Sequence, residues 1–365
     1  MFTHNGKISN RQVTLLLVLQ MFNMTILILP KIGTDYVGRN AYILPLLAIV
    51  LGAVYAICIT ALTKMFPSDT MIEFLPKIVP SFIGYIILLI FGIKVIVTTG
   101  LELRMFGEMI GQIMLPKTPL PVIILVMLLT TAYLVKSGIE ATGRMAEILV
   151  YFVFIPLAVV FFKILISCDY KEVMPFLRTQ VQDVGIGTYF ISLSFAPIEF
   201  MLLMTGLMAR PRGARGAIIR AVIVIAIIES IILLLTICGI GLGEVEKQVW
   251  PVLTLMQSIE NNGRIMESQE ILMMTGWIMS VFVYISSGIY FTSFMASRTL
   301  KLKRENIFVL PVVPIVYFVA MYAGNLVEAY NSYINFQRYV GVLFLVPVPL
   351  ILLLIAKVRR IKQDE

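Results

Sequence analysis

Long apolar runs separated by short charged clusters dominate the chain, and run length is the first readable signal. An apolar stretch of about 17–25 residues crosses a bilayer as a helix, because only bonds within the segment can satisfy its backbone there. Reading for such runs, bounded by charge or by Pro and Gly, predicts helical spans at Val13 to Leu29, Ala41 to Leu62, Phe82 to Gln112, Leu120 to Val135 and Ala146 to Ile166. Five more follow at Gly187 to Met208, Ala217 to Leu242, Ile271 to Phe294, Ile307 to Tyr322 and Val340 to Ala356. The expected fold is an all-α, multi-pass membrane protein of ten spans. Runs such as Ala221 to Leu235 are almost unbroken, which argues against the alternating strands of a membrane barrel.

Ten spans divide into two sets of five, and because five is odd, a structural duplication would invert the second half relative to the first. The expected halves are residues 1–180 and 181–365. The first span is interrupted by polar Asn23 and Thr25 and stops at Pro30, while the sixth carries Ser192, Ser194, Pro197 and Glu199. Proline lacks a backbone N–H and clashes with the preceding turn, so Pro197 is expected to break or kink its helix at mid-membrane depth. Broken helices at matching positions point to a central binding site, and a simple kink in a packed helix is the alternative.

Composition agrees with this picture. Hydrophobic residues make up 59 % of the 365 positions, against about 45–50 % for a soluble domain. The net charge of +8 comes from basic residues at span ends, where they set orientation, so no nucleic-acid role follows. Eighteen of the 29 Lys and Arg residues fall on the side of the N-terminus, nine on the other side and two within the third span. That bias predicts both termini in the cytoplasm. Lys7 and Arg11 precede the first run and no small-residue cleavage site follows it, so this run is expected to stay attached as a span. Cys58 and Cys238 lie within apolar runs and Cys168 at a polar boundary, a distribution that implies no disulfide framework. The sole histidine, His4, is in the N-terminal tail; no metal or cofactor motif is found, and no nucleophile, base and orienter can be assembled, so the chain does not read as an enzyme.

Ionisable groups inside a bilayer cost roughly 2.5–3.5 kcal/mol each at the centre and so need a partner, water or a function. The third span holds Lys94, Glu102, Arg104 and Glu108. Arg104 and Glu108 are helical neighbours at i,i+4, for which internal pairing is the plain reading. Lys94 and Glu102 fall about 80° apart on the helix, and Lys94, nearer mid-span, is a functional candidate. Glu199, next to the expected break, is the sharpest single residue; it can accept hydrogen bonds, bind a proton or pair with Lys94. Half-helix ends would offer N–H groups to a carboxylate and carbonyls to an ammonium, a combination that suits a zwitterion. Glu147 and Glu229 are weaker candidates near span ends. Tyr284, Ser287, Gly288 and Phe291 share a face of the eighth span, and Gly107 with Gly111 forms a second small-residue pair; close helix packing is the expected role of both glycine sites.

Several strings are more specific than composition. Glu244-Val245-Glu246-Lys247-Gln248-Val249-Trp250-Pro251, continuing to Leu255 and Gln257-Ser258, resembles the loop pattern of the B subunits of spore germination receptors. Ser194-Phe195-Ala196-Pro197-Ile198-Glu199, Glu102-Leu103-Arg104 with Glu108-Met109, and Lys7-Ile8-Ser9-Asn10-Arg11-Gln12 resemble the same family nearly end to end. The resemblance implies the amino acid/polyamine/organocation transporter superfamily, a five-plus-five inverted fold and broken helices 1 and 6. It also implies residence in the spore inner membrane with an A subunit and a lipoprotein C subunit as partners, and a small germinant, commonly an amino acid, as ligand. Its pocket would take Asn23 and Thr25 from span one, Ser194, Phe195, Pro197 and Glu199 from span six, Lys94, Thr98 and Glu102 from span three, and Tyr284 and Ser287 from span eight. Where many relatives carry glycines at the first break, this chain has Asn23-Met24-Thr25, so its backbone would approach a ligand less closely. Two rival functions share the fold: an amino acid transporter coupled to protons through Glu199, and a pathway conducting water or ions.

Overall fold

The structure is a computed structural model that describes residues 6–27, 29–168, 170–174, 179–248, 250–260, 269–302 and 304–359, without the side chains of 24–27, 167, 259–260 and 269–270. Helices fill it, and among the described residues the one β-contact is an isolated bridge between Ile8 and Met208. The helices are α1 (Asn10–Leu27), α2 (Leu29–Val37), α3 (Leu44–Thr63), α4 (Met71–Ile78), α5 (Ser81–Ile113), α6 (Leu120–Lys136), α7 (Ile139–Ser167), α8 (Val181–Ser192) and α9 (Met201–Met204). They continue as α10 (Ala214–Ile240), α11 (Leu242–Val245), α12 (Pro251–Glu260), α13 (Gln269–Thr299), α14 (Val309–Tyr322), α15 (Leu326–Phe336), α16 (Val342–Leu345) and α17 (Pro347–Val358). Each of the ten expected spans falls on helix. Seven helical stretches among the described residues are long and apolar enough to cross a membrane, and α6 and α14 are shorter apolar helices.

The departures from the expected elements have local causes. Between α8 and α9 the backbone tightens into a 3-10 helix over Leu193–Phe200, with Pro197 inside it. Without an N–H, Pro197 cannot make the α-helical bond to the carbonyl four residues back, so the expected interruption of span six takes the form of an eight-residue 3-10 segment. Span one differs: the backbone stays α-helical through Asn23, Met24 and Thr25 to Leu27, so the break expected at those three residues is not there. None of them is Gly or Pro, and the Asn23 amide bonds to another helix instead of competing for its own backbone. A π-helical turn at Gln337–Gly341, which no pattern announced, leads into the start of the tenth span. Gly241, at φ +77°, ends α10 with a conformation that favours glycine and turns the chain directly into α11.

Polar contacts tie the two ends of the bundle. At one end Ile8 N donates to Leu207 O (3.0 Å) and Ala209 N to Ile8 O (2.9 Å), Arg215 Nε donates to Thr60 Oγ1 (3.1 Å), and Arg298 pairs with Glu305 (2.6 Å). At the other, Lys31 donates to the Glu246 carbonyl (2.7 Å) and Arg39 to that of Met174 (2.5 Å). Between them α1 lies in the centre against α7, α10, α13 and the 3-10 segment, with α3 on α8 and α10, and α5 on α13, α14 and α15. Gly288 of α13 sits so close to Thr99 of α5 that a Cβ there would overlap the threonine hydroxyl, and one at Gly107 would meet Leu120 and Ile124 of α6 at 2.6–2.9 Å. Both glycines therefore set close helix packing, as expected from the sequence. Cys168, by contrast, is brought to the sulfur of Cys238, within hydrogen-bonding reach, a neighbour that spacing in the sequence could not supply.

Candidate functional site

Every ionisable group of α5 at mid-bundle depth is matched by a partner from another element. Lys94, 1 % exposed, forms an ion pair with Glu199, 2 % exposed, in the 3-10 segment. The pairing considered for these two residues on sequence grounds is thus present. Thr98, one turn along α5, caps the Lys94 carbonyl with its hydroxyl at 3.0 Å. A further turn on, Glu102 accepts from Asn23 Nδ2 of α1 at 2.6 Å, and the Asn23 carbonyl in turn accepts from Trp277 Nε1 of α13 at 3.2 Å. Gln20, one turn before Asn23, donates to Ser287 Oγ at 2.6 Å.

Tyr284 connects the two halves of this cluster. Its phenol lies in the electrostatic reach of both Glu102 and Glu199 and beside Thr98 and Tyr333. Nearer the rim, Arg104 makes two hydrogen bonds to Glu108, at 2.7 and 3.0 Å, and a third to the Gly324 carbonyl at 3.1 Å, the local pairing expected of it. Glu147 is likewise peripheral, accepting from Gln12 at 3.3 Å, while Glu229 is buried on α10.

Buried oxygens without a hydrogen-bond partner define what the cluster can still do. They are Glu102 Oε2, Gln20 Oε1, Asn23 Oδ1 and Glu199 Oε2. A buried acceptor left unpaired costs about 1–3 kcal/mol, so a ligand that donates to these oxygens recovers that cost on binding. All four can only accept. The group they fit is therefore a donor-rich cation such as an ammonium, and Lys94 supplies the opposite charge for an anionic group.

The candidates divide as follows. Asn23, Lys94, Thr98, Glu102, Glu199, Tyr284 and Ser287 are brought together, with Pro197 shaping the segment that carries Glu199. Ser194 opens instead into a small cavity of about 30 Å³ shared with Leu29, Phe190, Tyr333 and Gln337. Phe195 is turned to α3, where its ring packs over Gly52 at 3.1 Å from a Cβ position, and acts in packing. The side chain of Thr25 lies outside the described residues. Gln20, Trp277, Tyr333 and Gln337 were missed; Gln20 and Gln337 had a readable signal, a long polar side chain in or beside an apolar run.

Comparison with known proteins finds relatives along nearly the whole chain. The chain is 25 % identical over 366 residues to spore germination protein YndE of Bacillus subtilis (strain 168), covering 99 % of each chain. It is 24 % identical to spore germination protein A2 over 82 % of each chain, and 19 % identical to spore germination protein B2 over 94 % of this chain and 92 % of that one, both of the same organism. A family model described as spore germination protein matches residues 7–329, and the chain belongs to that family.

Proposed function

We propose that this chain is the germinant-sensing, permease-like subunit of a spore nutrient receptor, and that its ligand is a small amino acid held between α1, α5, the Leu193–Phe200 segment and α13. The observation that carries the reading is the Lys94–Glu199 pair beside a set of buried, unpartnered acceptor oxygens. An α-ammonium group donates to Glu102 Oε2, Gln20 Oε1 and Asn23 Oδ1. The ligand's carboxylate competes with Glu199 for Lys94. Binding then loosens the hold of α5 on the 3-10 segment, and the ligand shifts the equilibrium by its differential affinity for the two arrangements. The shift passes to an A subunit and a lipoprotein C subunit in the inner membrane of the spore, with both termini of this chain on the core side.

The fold proposed with this function is the five-plus-five inverted repeat, residues 1–180 against 181–365. It is supported by the packing of α1 on the 3-10 segment, α3 on α10 and α5 on α13, because these are the helix pairs that a two-fold relation would exchange. Spores whose sole nutrient receptor contains Glu102→Gln should lose most of their response to amino acid mixtures while keeping wild-type levels of the protein. An unchanged response would refute the site.

A second reading, proton-coupled amino acid transport, is favoured by the same buried ion pair, since intramembrane carboxylates serve proton relays. Gradient-driven uptake of labelled amino acid into proteoliposomes, uncoupled by Glu199→Gln, would establish it. Binding without uptake leaves sensing.

A further inference from the structure

At the end of the bundle where α13 stops and α14 starts, a polar cavity of about 380 Å³ lies between the α6 terminus, α13 and the loop that joins it to α14. It shares no residue with the cluster around Lys94. Tyr290 and Ser293, one turn apart on α13 and 4 % and 1 % exposed, line it; the Ser293 hydroxyl is buried without a hydrogen-bond partner, and the Tyr290 hydroxyl lies against the Glu305 carboxylate. Lys136 and Arg304 stand at its mouth, and neither forms an ion pair among the described residues. The one acid in the wall, Glu305, is held by Arg298 at 2.6 Å. The first turn of α14, which contains no acidic residue, also faces the cavity through Val309, so the positive end of that helix dipole adds to the two cations.

We propose that this cavity binds a phosphate group, and that the phosphate is the headgroup of an anionic phospholipid. The unpartnered Ser293 hydroxyl, a guanidinium and an ammonium meet the acceptor-only oxygens of a phosphodiester, and arginine holds phosphate through a two-pronged contact. The surroundings favour lipid over a free ion. Tyr133 on α6 is 81 % exposed, and Ile307 and Leu310 at the start of α14 are 48 % and 59 % exposed, which places apolar side chains around the mouth where acyl chains would run. Basic pockets between helices at the membrane surface take anionic headgroups on this principle.

The test uses the purified full-length protein in nanodiscs of phosphatidylcholine with and without phosphatidylglycerol, with retained lipid counted by native mass spectrometry. Phosphatidylglycerol should be retained in preference to phosphatidylcholine, and Arg304→Gln or Ser293→Ala should weaken that retention about tenfold, the loss expected for one charge-assisted contact. Lys136→Gln, at an exposed position that tolerates substitution, should weaken it several-fold and covers the case in which a buried variant does not fold. Equal retention of the two lipids, or variants indistinguishable from wild type, overturns the site. If inorganic phosphate protects the lipid-free protein in detergent from heat as well as phosphatidylglycerol does, the site takes a soluble phosphate and the lipid assignment falls.

Discussion

Lys94 of α5 and Glu199 of the Leu193–Phe200 segment neutralise each other across a helix interface at which both are almost completely buried. Because desolvation has removed water from both charges, removing either partner strands the other. Lys94→Met or Glu199→Ala alone should destabilise the protein by roughly 3–5 kcal/mol, whereas the double variant Lys94→Met with Glu199→Ala should cost less than either. Denaturation of the four proteins in one detergent measures the cycle; additive losses would show that the pair does not couple these helices.

Asn23 serves two neighbours, with its amide on Glu102 and its carbonyl on Trp277. Asn23→Ala removes the described partner of a buried carboxylate and should cost about 1–3 kcal/mol. Trp277→Phe deletes the N–H donor and also part of a fully buried ring, so its loss combines an ordinary hydrogen bond, about 1 kcal/mol, with a cavity cost. A double-variant cycle of Asn23→Ala with Glu102→Gln, read by thermal unfolding, isolates the Asn23–Glu102 bond, and additive losses would show that Asn23 does not anchor the carboxylate.

Gly288 allows α13 to approach Thr99 on α5. Gly288→Ala forces the threonine to turn, and Gly288→Val forces the helices apart, so stability should fall by about 1–3 kcal/mol for valine and by less for alanine. Thr99→Ala should rescue Gly288→Ala, because it removes the atom in the way. Failure of that rescue would place the clash elsewhere.

What the residues announced depended on whether the cause was local. Pro197 could be read as an interruption because its missing N–H acts on its own helix, and Arg104 with Glu108 because i,i+4 spacing fixes their proximity. The Asn23–Glu102 and Trp277–Asn23 bonds could not be read, since they arise only when three helices pack. Short elements escaped a reading based on apolar run length. α4 is nonetheless announced by Thr70 and Glu73, whose reciprocal capping box starts it, with the Glu73 carboxylate accepting from Thr70 N at 2.8 Å. The break expected at Asn23 to Thr25 failed because polar residues in a span were read as backbone disruption, whereas the Asn23 side chain is used between helices.

Cys168, at the end of α7 and outside the apolar core of its span, gives a pH-dependent handle. Burial raises its thiol above the ordinary cysteine value, and the neighbouring Cys238 sulfhydryl offsets part of that rise. A raised value leaves less thiolate near neutral pH, and the thiolate is the reacting form. Maleimide labelling of Cys168 in a Cys58→Ser background should therefore be slower than that of a free cysteine near pH 7 and should accelerate towards about pH 9. Cys238→Ala removes the offsetting neighbour and should slow labelling near neutral pH further; equal rates would show that the two sulfurs do not interact.

Pro197 connects the backbone to the proposed response. In the 3-10 segment its ring stands where an α-helix would place a donor, so the segment cannot complete its α-helical bonding. Pro197→Ala restores the N–H and permits a bond to the carbonyl of Leu193, which favours regular α-helix and rotates the positions that follow, Glu199 among them. A tighter turn advances about 120° per residue and an α-helix about 100°, so two residues beyond the substitution the accumulated difference reaches about 40°. Glu199 would then be swung aside from its contact with Lys94. The variant should fold, lose coupling between Lys94→Met and Glu199→Ala in the double-variant cycle, and lose most of the nutrient response. If Pro197→Ala keeps both the coupling and the response, the 3-10 geometry is a by-product of the proline and not the part that positions the acid.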